Sequence, residues 1–269
     1  MKAIMSGTPA GGQQSVPEAG ELLKVEDVSY GYGSDNLVLT DINMSIREGE
    51  VAVLLGPSGC GKTTLLNMMA GFTRPTAGAV RLNGKPVRKA GPDRTVVFQS
   101  SALFDWMTVL DNVIAGLHAA AQMSAREKTD RARSMLALVG LEAFANAFPR
   151  QLSGGMRQRT GLARALAPNP TVMLLDEPLA ALDALTREQL QDELRQIIAV
   201  AGRSAFLITH DIEEAVLLGD RIHIMTPRPG RIAATIKPKL RNERSRVSEA
   251  FAQEVIEVRK LAMRIFQHP

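Results

Sequence analysis

A glycine-rich loop directly follows a wholly apolar run and has the residue types that bind phosphate. Residues 56–63 read GPSGCGKT, which matches the pattern G-x-x-x-x-G-K-[ST], and the apolar run before them is 51–55. Gly59 and Gly61 allow the backbone to turn so that its N–H groups face the β- and γ-phosphates of a nucleotide. Lys62 adds a positive charge, and the threonine that ends the loop offers a hydroxyl to Mg2+. A glycine turn before an ordinary helix is the competing interpretation, but the preceding strand favours a phosphate-binding loop (P-loop).

Two adjacent carboxylates follow a second apolar run. Asp176 and Glu177 come directly after residues 172–175. Beside a bound nucleotide, Asp176 is placed to hold magnesium through water, and Glu177 is placed to polarise the attacking water as a general base. The alternative interpretation is a solvated acidic turn, but the apolar run that ends in this pair favours a catalytic role.

The polar groups belong to a series of short apolar runs that each end at a polar residue. The runs and their polar residues are 51–55 with Gly56, 95–98 with Gln99, 172–175 with Asp176, and 205–209 with His210. Runs this continuous indicate strands that are buried on both faces of a parallel sheet. Because ligands of such sheets bind at the carboxyl ends of the strands, we expect the four polar groups to converge on one edge.

The remaining patterns predict an antiparallel flank and an inserted helical region. Two stretches have strand character with Gly-rich punctuation between them, namely 22–30 and 38–46. Four stretches have helical periodicity, namely 109–121, 125–139 (with Gly140 as a C-cap), 186–200 and 247–266. The predicted fold class is α/β, with a P-loop NTPase core, an antiparallel β subdomain and an inserted α-helical subdomain.

Composition limits the class of protein. The chain has 269 residues, 45% hydrophobic and 22% charged, which suits one bilobed domain or two small ones. It has no run of the roughly 18 apolar residues that a transmembrane helix needs, and residues 1–20 predict a disordered tail rather than a signal peptide, so we expect a cytosolic protein. The single cysteine, Cys60, excludes an internal disulfide and a Cys-based metal cluster. Scattered basic residues with only 4% aromatics disfavour nucleic acid as a partner, despite a net charge of +4.

The chain resembles the ATP-binding cassette (ABC) ATPases, because five motifs occur in that family's order. They are the P-loop, Gln99 after a strand, LSGGMRQR at 152–159, LLDEP at 174–178, and ITHD at 208–211. The resemblance implies an ABC ATPase domain at 21–236 with a helical subdomain at about 101–158, followed by a helical tail at 237–269. It also implies ATP and Mg2+ as cofactors. The implied ATP contacts are Tyr32, Gly56, Pro57, Ser58, Gly59, Cys60, Gly61, Lys62, Thr63 and Thr64.

Several roles follow from the resemblance alone. Tyr32 would stack on adenine; Tyr30 is the alternative, and either could instead belong to the core. Gln99 would reach the attacking water and would share the magnesium ion with Thr63 and Asp176. His210 would hold the γ-phosphate and link it to Glu177, so that Glu177, His210, Gln99 and Lys62 form the catalytic set.

Cys60 and the three remaining histidines are not assigned catalytic roles. Cys60 is interpreted as a spacer whose thiol lies beside the phosphates, so that its alkylation would block ATP binding. The other histidines, His118, His223 and His268, are interpreted as structural.

The turn formed by Ser153, Gly154 and Gly155 predicts a second phosphate-facing helix end. It stands directly before a helical pattern at 156–166, so its N–H groups can receive an anion. In the family that the chain resembles, this turn closes over the P-loop of a second subunit in a head-to-tail dimer, and the loop containing Asp183 couples the two sites. Asp183 also suits a helix N-cap, and both roles are compatible. A monomer is then expected to bind ATP and to hydrolyse it poorly.

The resemblance also implies transport through separate permease subunits in the membrane. Phe104 and Trp106 would contact the permease, although they could also belong to the core. Four segments, GPDRTVVFQ, WMTVLDNV, ALDALTR and THDIEEAV, are most similar to those of importers of nitrate, taurine and sulfonates. Asp105, Leu179 and Ala180 differ from the residues that are common in that group at these positions. The expected place is the cytoplasmic face of the inner membrane, with a solute-binding protein as an indirect partner. An exporter, a lipid-extraction system and, less favoured, a non-transport ABC ATPase are the alternatives.

Overall fold

The computed structural model describes residues 20–31, 36–118, 122–180, 182–240 and 244–267. Nearly all of the predicted tail at 1–20 lies outside these ranges, as do Tyr32 and His268. The strands are β1 (Glu21–Gly31), β2 (Leu37–Arg47), β3 (Val51–Leu55), β4 (Ala77–Leu82), β5 (Lys85–Pro86), β6 (Arg94–Val97), β7 (Val172–Asp176), β8 (Ser204–Thr209), β9 (Arg221–Met225) and β10 (Ile232–Ile236). The helices are α1 (Lys62–Ala70), α2 (Val109–Gly116), α3 (Ala125–Leu138), α4 (Gly154–Leu166), α5 (Ala184–Ala201), α6 (Ile212–Leu218) and α7 (Glu249–Gln267), with 3-10 turns at Glu142–Phe144 and Pro149–Gln151.

The main sheet has six strands in the order β10-β9-β3-β8-β7-β6, and it is parallel except for β10. Its register aligns the carboxyl ends of the central strands, since Leu55 pairs with Thr209 and Asp176 pairs with Ile208. On the outer side of β7, Leu175 pairs with Val97. The predicted strands and their shared edge are therefore confirmed.

Both faces of the main sheet are covered, which explains why the central strand β3 is apolar throughout. Successive residues of β3 alternate between the two faces: Val53 packs in the cluster formed with α4, α5, α6 and α7, whereas Leu54 packs in the cluster formed with β1, β2 and α1. Both side chains are fully buried. Each such burial contributes about 2 kcal/mol to the free energy of folding, which favours an apolar residue at every position of β3.

A second sheet flanks the first and has the order β2-β1-β4-β5, with antiparallel pairing throughout. It buries one row of side chains, among them Leu23, Val28 and Ile42, against α1 and the main sheet. The predicted antiparallel flank is confirmed. The confirmed fold class is α/β.

Helices α2, α3 and α4 occupy the chain between β6 and β7 and pack against one another. Gly140 ends α3 with a φ of +69°, a backbone conformation that glycine adopts without strain, as the sequence predicted. The helix expected at 109–121 ends earlier, at Gly116, because glycine is a poor helix former; residues 119–121 lie outside the described ranges. The domain and subdomain limits stay a prediction.

The two later amphipathic helices are confirmed. Helix α5 buries Leu190, Leu194 and Ile198 on one face, and α7 buries Phe251 and Val258 against α6 and β9. Within the described ranges, the structure contains no helix that combines the length and the apolar character needed to cross a membrane.

Candidate nucleotide-binding site

The P-loop joins the end of β3 to the start of α1 through two glycines in left-handed conformations. Gly59 has a φ of +79° and Gly61 a φ of +103°, and a Cβ on Gly61 would stand only 2.6 Å from a methyl group of Leu39. Gly61 is also the N-cap of α1, and in the described chain no side chain caps this helix. The first N–H groups of α1 are therefore available to an anion such as a phosphate.

Lys62 lies under the loop and is nearly buried, with 5% of its surface exposed. Its Nζ donates to the carbonyl oxygens of Gly56 and Pro57, at 2.9 Å each, and lies 3.8 Å from Oε1 of Glu177. The remaining predicted loop contacts are more accessible: Ser58 and Thr63 are exposed, and Thr64 is half-buried. The loop thus combines backbone donors with one fixed cation.

Thr63 and Asp176 bring two oxygen ligands together at the loop. The Thr63 hydroxyl donates to Oδ1 of Asp176 over 3.3 Å. Burial raises the pKa of the Asp176 carboxyl, and the hydrogen bond from Thr63 opposes that rise. Hydroxyl and carboxylate oxygens suit Mg2+, which keeps several waters and takes phosphate oxygens, so few protein ligands suffice. The donor set fits this ion, although the described residues contain no cluster of three or more His, Cys, Asp or Glu side chains that could hold a metal.

Glu177 lies between Lys62 and His210. Its Oε2 is 3.1 Å from Nδ1 of His210, and its backbone N–H donates to the carbonyl of Ile208 over 3.1 Å. Glu177 has a φ of +44°, a conformation that is unfavourable for a residue with a side chain. Strained conformations of this kind recur at functional sites, where the surrounding structure holds them. The carboxylate is 19% exposed and the imidazole 56% exposed, so the pair is open on the His210 side.

Gln99 lies at the same edge of the sheet. It is exposed and follows β6, whose last residue, Val97, pairs with Leu175 just before the acidic pair. The structure thus brings together the P-loop, Asp176, Glu177 and His210, with Gln99 beside them. For adenine, the predicted Tyr32 lies outside the described residues, and Tyr30 packs half-buried against the core.

The thiol of Cys60 is buried between the P-loop and the core, next to Gly56 and Met225. The side chain is 1% exposed, and its Sγ lies 3.4 Å from Sδ of Met225 in the core. Burial raises the pKa of this thiol. The thiol is therefore shielded from solvent, and the expectation that its alkylation would block ATP binding stays a prediction.

The Ser153–Gly155 turn caps α4 and packs on the start of α5. Ser153 accepts a hydrogen bond from the backbone N–H of Met156 over 3.2 Å. A Cβ on Gly154 would stand 3.1 Å from Leu182, and one on Gly155 would stand 3.1 Å from Leu190, so both glycines permit close packing. These nearest neighbours belong to α5 and the loop before it, not to the P-loop.

Asp183 caps α5, and a nearby arginine fixes the loop in front of it. Asp183 accepts from the backbone N–H of Thr186 over 3.0 Å. The guanidinium of Arg187 donates to the carbonyls of Leu179 at 3.2 Å and Leu182 at 2.6 Å. Sequence reasoning missed Arg187, although it ends the ALDALTR motif and stands one helical turn after Asp183.

The predicted permease contacts form an exposed aromatic pair. Phe104 is 37% and Trp106 is 74% exposed, and their ring centroids are 5.4 Å apart. Asn112, which is fully buried, accepts from the N–H of Phe104 and donates to its carbonyl. The guanidinium carbon of Arg164 lies 5.7 Å from the Phe104 ring centroid. No sequence motif pointed to Asn112.

A P-loop, an acidic pair and a histidine at the carboxyl edge of a parallel sheet define a P-loop nucleotide hydrolase. Within this class, the inserted helices α2 to α4 and the second phosphate-facing helix end are the features that the sequence shares with ABC ATPases. A family model described as ABC transporter matches residues 39–180, and the chain belongs to this family. It is an ATP-binding cassette that hydrolyses ATP, so the predicted family and fold are confirmed.

Curated relatives are similar over most of the chain. A taurine import ATP-binding protein, TauB, of Pelagibacter ubique is 50% identical over 197 residues, which cover 72% of this chain and 73% of that protein. TauB of Pseudomonas putida is 49% identical over 217 residues, covering 80% and 82%. An uncharacterized ABC transporter ATP-binding protein of Methanocaldococcus jannaschii is 44% identical over 248 residues, covering 91% of each.

Solved structures share the fold at lower sequence identity. The ATP-binding cassette MJ0796, in a dimeric post-hydrolysis state bound to ADP and Pi, superposes with a TM-score of 0.69 at 34% identity, covering 80% of this chain and 98% of that one. CbiO1 of Clostridium perfringens, part of the ABC transporter complex cbiONQ, has a TM-score of 0.75 at 29% identity, covering 91% and 96%.

Proposed function

We propose that this chain is the ATP-hydrolysing subunit of an importer that takes up taurine or a related small anion, such as another sulfonate or nitrate, through separate membrane subunits. The observation that carries the proposal is the sequence identity with proteins named for taurine import, which is about half of the aligned residues. The same names favour import over export or lipid extraction. The substrate would bind other subunits, so this chain would supply only the free energy of ATP hydrolysis.

The site residues supply the chemistry of hydrolysis. The N–H groups of the loop and the ammonium of Lys62 would bind the β- and γ-phosphates. Glu177 would accept a proton from the water that attacks the γ-phosphorus, while the bond to the β-γ bridging oxygen breaks to give ADP and phosphate. His210, held against Glu177, would orient the γ-phosphate. Thr63, Asp176 and Gln99 would hold Mg2+, which neutralises phosphate charge when bound.

The second helix end supports a dimer. The nearest neighbours of the Ser153–Gly155 turn belong to α5 and the loop before it rather than to the P-loop, and its N–H groups would meet the nucleotide of a second chain. Asp183 and the carbonyls held by Arg187 border the same region and would meet the partner as well. The dimeric cassette at 34% identity supports this arrangement.

An exposed aromatic surface supports a permease partner. Besides Phe104 and Trp106, a second exposed aromatic pair is formed by Phe72 and Phe98, whose ring centroids are 6.4 Å apart and which are 54% and 39% exposed. Exposed aromatic residues are typical of interface anchors. The permease would hold the chain at the cytoplasmic face of the inner membrane, and a solute-binding protein would deliver the anion from the other side.

The hydrolysis proposal is tested by Glu177→Gln. Because the amide cannot accept the proton of the attacking water, we expect kcat to fall by about a hundredfold to ten-thousandfold while ATP binding persists. Size-exclusion chromatography with ATP should show a stable dimer of this variant. The matched control is Glu257→Gln on α7, whose half-exposed carboxylate lies 3.5 Å from the ammonium of Lys239 in the segment before the helix. Normal turnover of Glu177→Gln would overturn the assigned base.

The substrate proposal is tested by uptake. The chain, reconstituted with its membrane subunits in vesicles that hold ATP inside and receive the solute-binding protein outside, should drive ATP-dependent accumulation of labelled taurine, and Glu177→Gln should abolish it. Labelled nitrate and an aliphatic sulfonate in parallel assays identify which anion is carried. Accumulation of none of these anions by a complex that still hydrolyses ATP would overturn the substrate class and leave the ATPase assignment standing.

A further inference from the structure

The helix that follows His210 is tied at its far end to the C-terminal segment. Arg244, whose side chain is 5% exposed, donates to the carbonyls of Leu217 at 3.1 Å and Gly219 at 2.6 Å, and pairs with Asp220 at 2.9 Å. These carbonyls belong to the end of α6, where a cation is favourable to the helix dipole. The apolar face of α7 packs along the same helix. Residues after β10 therefore fix the element that His210 precedes.

A chain of buried hydrogen bonds lies directly under His210. The Asp211 N–H donates to the Thr209 hydroxyl over 2.9 Å, and that hydroxyl is hydrogen-bonded to the Glu214 carboxylate. Gln191 on α5 donates to the same carboxylate over 3.4 Å. Thr209, Gln191 and Glu214 are buried, with exposures of 2%, 2% and 5%.

Arg246 of the C-terminal segment completes the chain. Its guanidinium donates to Oε1 of Gln191, and this bond orients the amide so that its NH2 group faces Glu214. Without Arg246 the amide of Gln191 would lose the partner of its oxygen inside a largely apolar layer. Since buried polar groups strongly prefer to be hydrogen-bonded, the bond from Arg246 favours the amide orientation in which Gln191 donates to Glu214.

The turn that this network holds contains His210. Thr209 and Asp211 flank the histidine and are joined by the bond from the Asp211 N–H to the Thr209 hydroxyl. Glu214, which is hydrogen-bonded to the same hydroxyl, lies one helical turn further on. His210 itself is 56% exposed, so packing around the ring does not fix it. A small pocket of about 50 Å³ lies between Glu177, His210 and Glu214, which leaves space for the ring to move if the turn shifts.

We infer that Glu214 is a positioning residue for His210, and that Arg246 holds Glu214 in place through Gln191. The inference rests on the proposed role of His210 in hydrolysis. It gives the C-terminal segment a part in catalysis without contact with the nucleotide.

The primary test is Arg246→Met in the full-length chain. This variant keeps the aliphatic stem and removes the donor, and the side chain is 21% exposed, so the fold should persist. We expect kcat for ATP hydrolysis to fall about tenfold, because small displacements of a catalytic group reduce its efficiency steeply, while KM for ATP stays unchanged. Arg246→Lys, which can still donate to Gln191, should recover much of kcat. Glu214→Gln should reproduce the loss seen in Arg246→Met.

The matched control is Arg259→Met. Arg259 also joins the C-terminal segment to α6, at 3.8 Å from Glu213, but this pair is exposed and outside the network. Its removal should change neither kcat nor the melting temperature.

A spectroscopic readout separates positioning from general stability. The ring resonance of His210 in a 1H–13C NMR spectrum is assigned by its loss in His210→Ala. We expect it to shift in Arg246→Met and to stay in place in Arg259→Met. An unmoved His210 resonance or an unchanged kcat in folded Arg246→Met overturns the inference. A wild-type chain without ATPase activity would instead overturn the proposed function.

Discussion

Asn112 holds the loop that presents the aromatic pair, and its removal gives the sharpest test of how this surface is built. The side chain is fully buried. Its Oδ1 accepts from the N–H of Phe104 at 2.8 Å, and its Nδ2 lies within 3.1 Å of the Phe104 carbonyl, 3.2 Å of the Met107 carbonyl and 3.0 Å of the Thr108 carbonyl. One amide thus closes the loop between β6 and α2. Asn112→Ala removes all of these bonds at once.

The expected loss of stability follows from counting donors. The amide has two N–H hydrogens and one strong acceptor in use, so about three net hydrogen bonds are lost, at about 1 kcal/mol each. The free energy of unfolding should therefore fall by about 3 kcal/mol. For a chain of this length, a loss of that size lowers the melting temperature by roughly 6 to 12 °C. The same substitution also removes the hydrogen bonds that hold the backbone of the loop carrying Phe104 and Trp106.

The assay uses the only tryptophan of the chain, Trp106. Steady-state anisotropy of its fluorescence should fall in Asn112→Ala at temperatures where the variant is still folded, because the loop becomes mobile. ATP binding should persist, since the P-loop lies on other elements, while stimulation of hydrolysis by the permease should drop. The control is Asn146→Ala, at an exposed position of the same helical region, where we expect a change within about 0.5 kcal/mol. An unchanged melting temperature and anisotropy in Asn112→Ala would refute this reasoning.

Two further predictions concern buried titratable groups. Cys60 is the only cysteine, so mass spectrometry after iodoacetamide treatment measures its reactivity directly. Because the thiol is buried, we expect little labelling until denaturant is added. Rapid labelling of the folded chain would contradict the inward orientation of the side chain. Burial lowers the pKa of His223 from 6.5 to about 4. The unfolded chain therefore binds a proton that the folded chain excludes, and the free energy of unfolding should fall by about 2 kcal/mol between pH 7.5 and pH 5. Urea titrations should show a smaller fall in His223→Gln but an unchanged one in His118→Gln, at an exposed position; equal slopes in all three proteins would argue against the assignment.

Local patterns determined the strands and the polar residues that follow them. A run such as 51–55 is apolar at every position because both of its faces are covered, and the polar residue that follows marks the edge where the strand leaves the core. The glycines of the P-loop are similarly local, because left-handed φ values at Gly59 and Gly61 are a property of the chain at those positions. The convergence of the P-loop, Asp176, Glu177 and His210 was therefore predictable from the sequence.

Side-chain direction within these elements was not predictable. Cys60 belongs to the P-loop, yet its thiol faces Met225 because the loop curls back over β9, far away in sequence. No sequence motif indicates which groups Asn112 and Arg187 bind. Each donates to backbone carbonyls that come within hydrogen-bonding distance only in the folded loop.

The sequence by itself determined the nucleotide chemistry of this protein, the order of its motifs and the α/β class. Only the tertiary structure decided that the Ser153–Gly155 turn rests on α5, and that Arg246 reaches Gln191 and Glu214 under His210. The physical reason is the range of the interactions. Strand and turn patterns depend on neighbours along the chain, whereas the hydrogen bonds from Gln191 to Glu214 and from Arg246 to Gln191 join residues that are 23 and 55 positions apart.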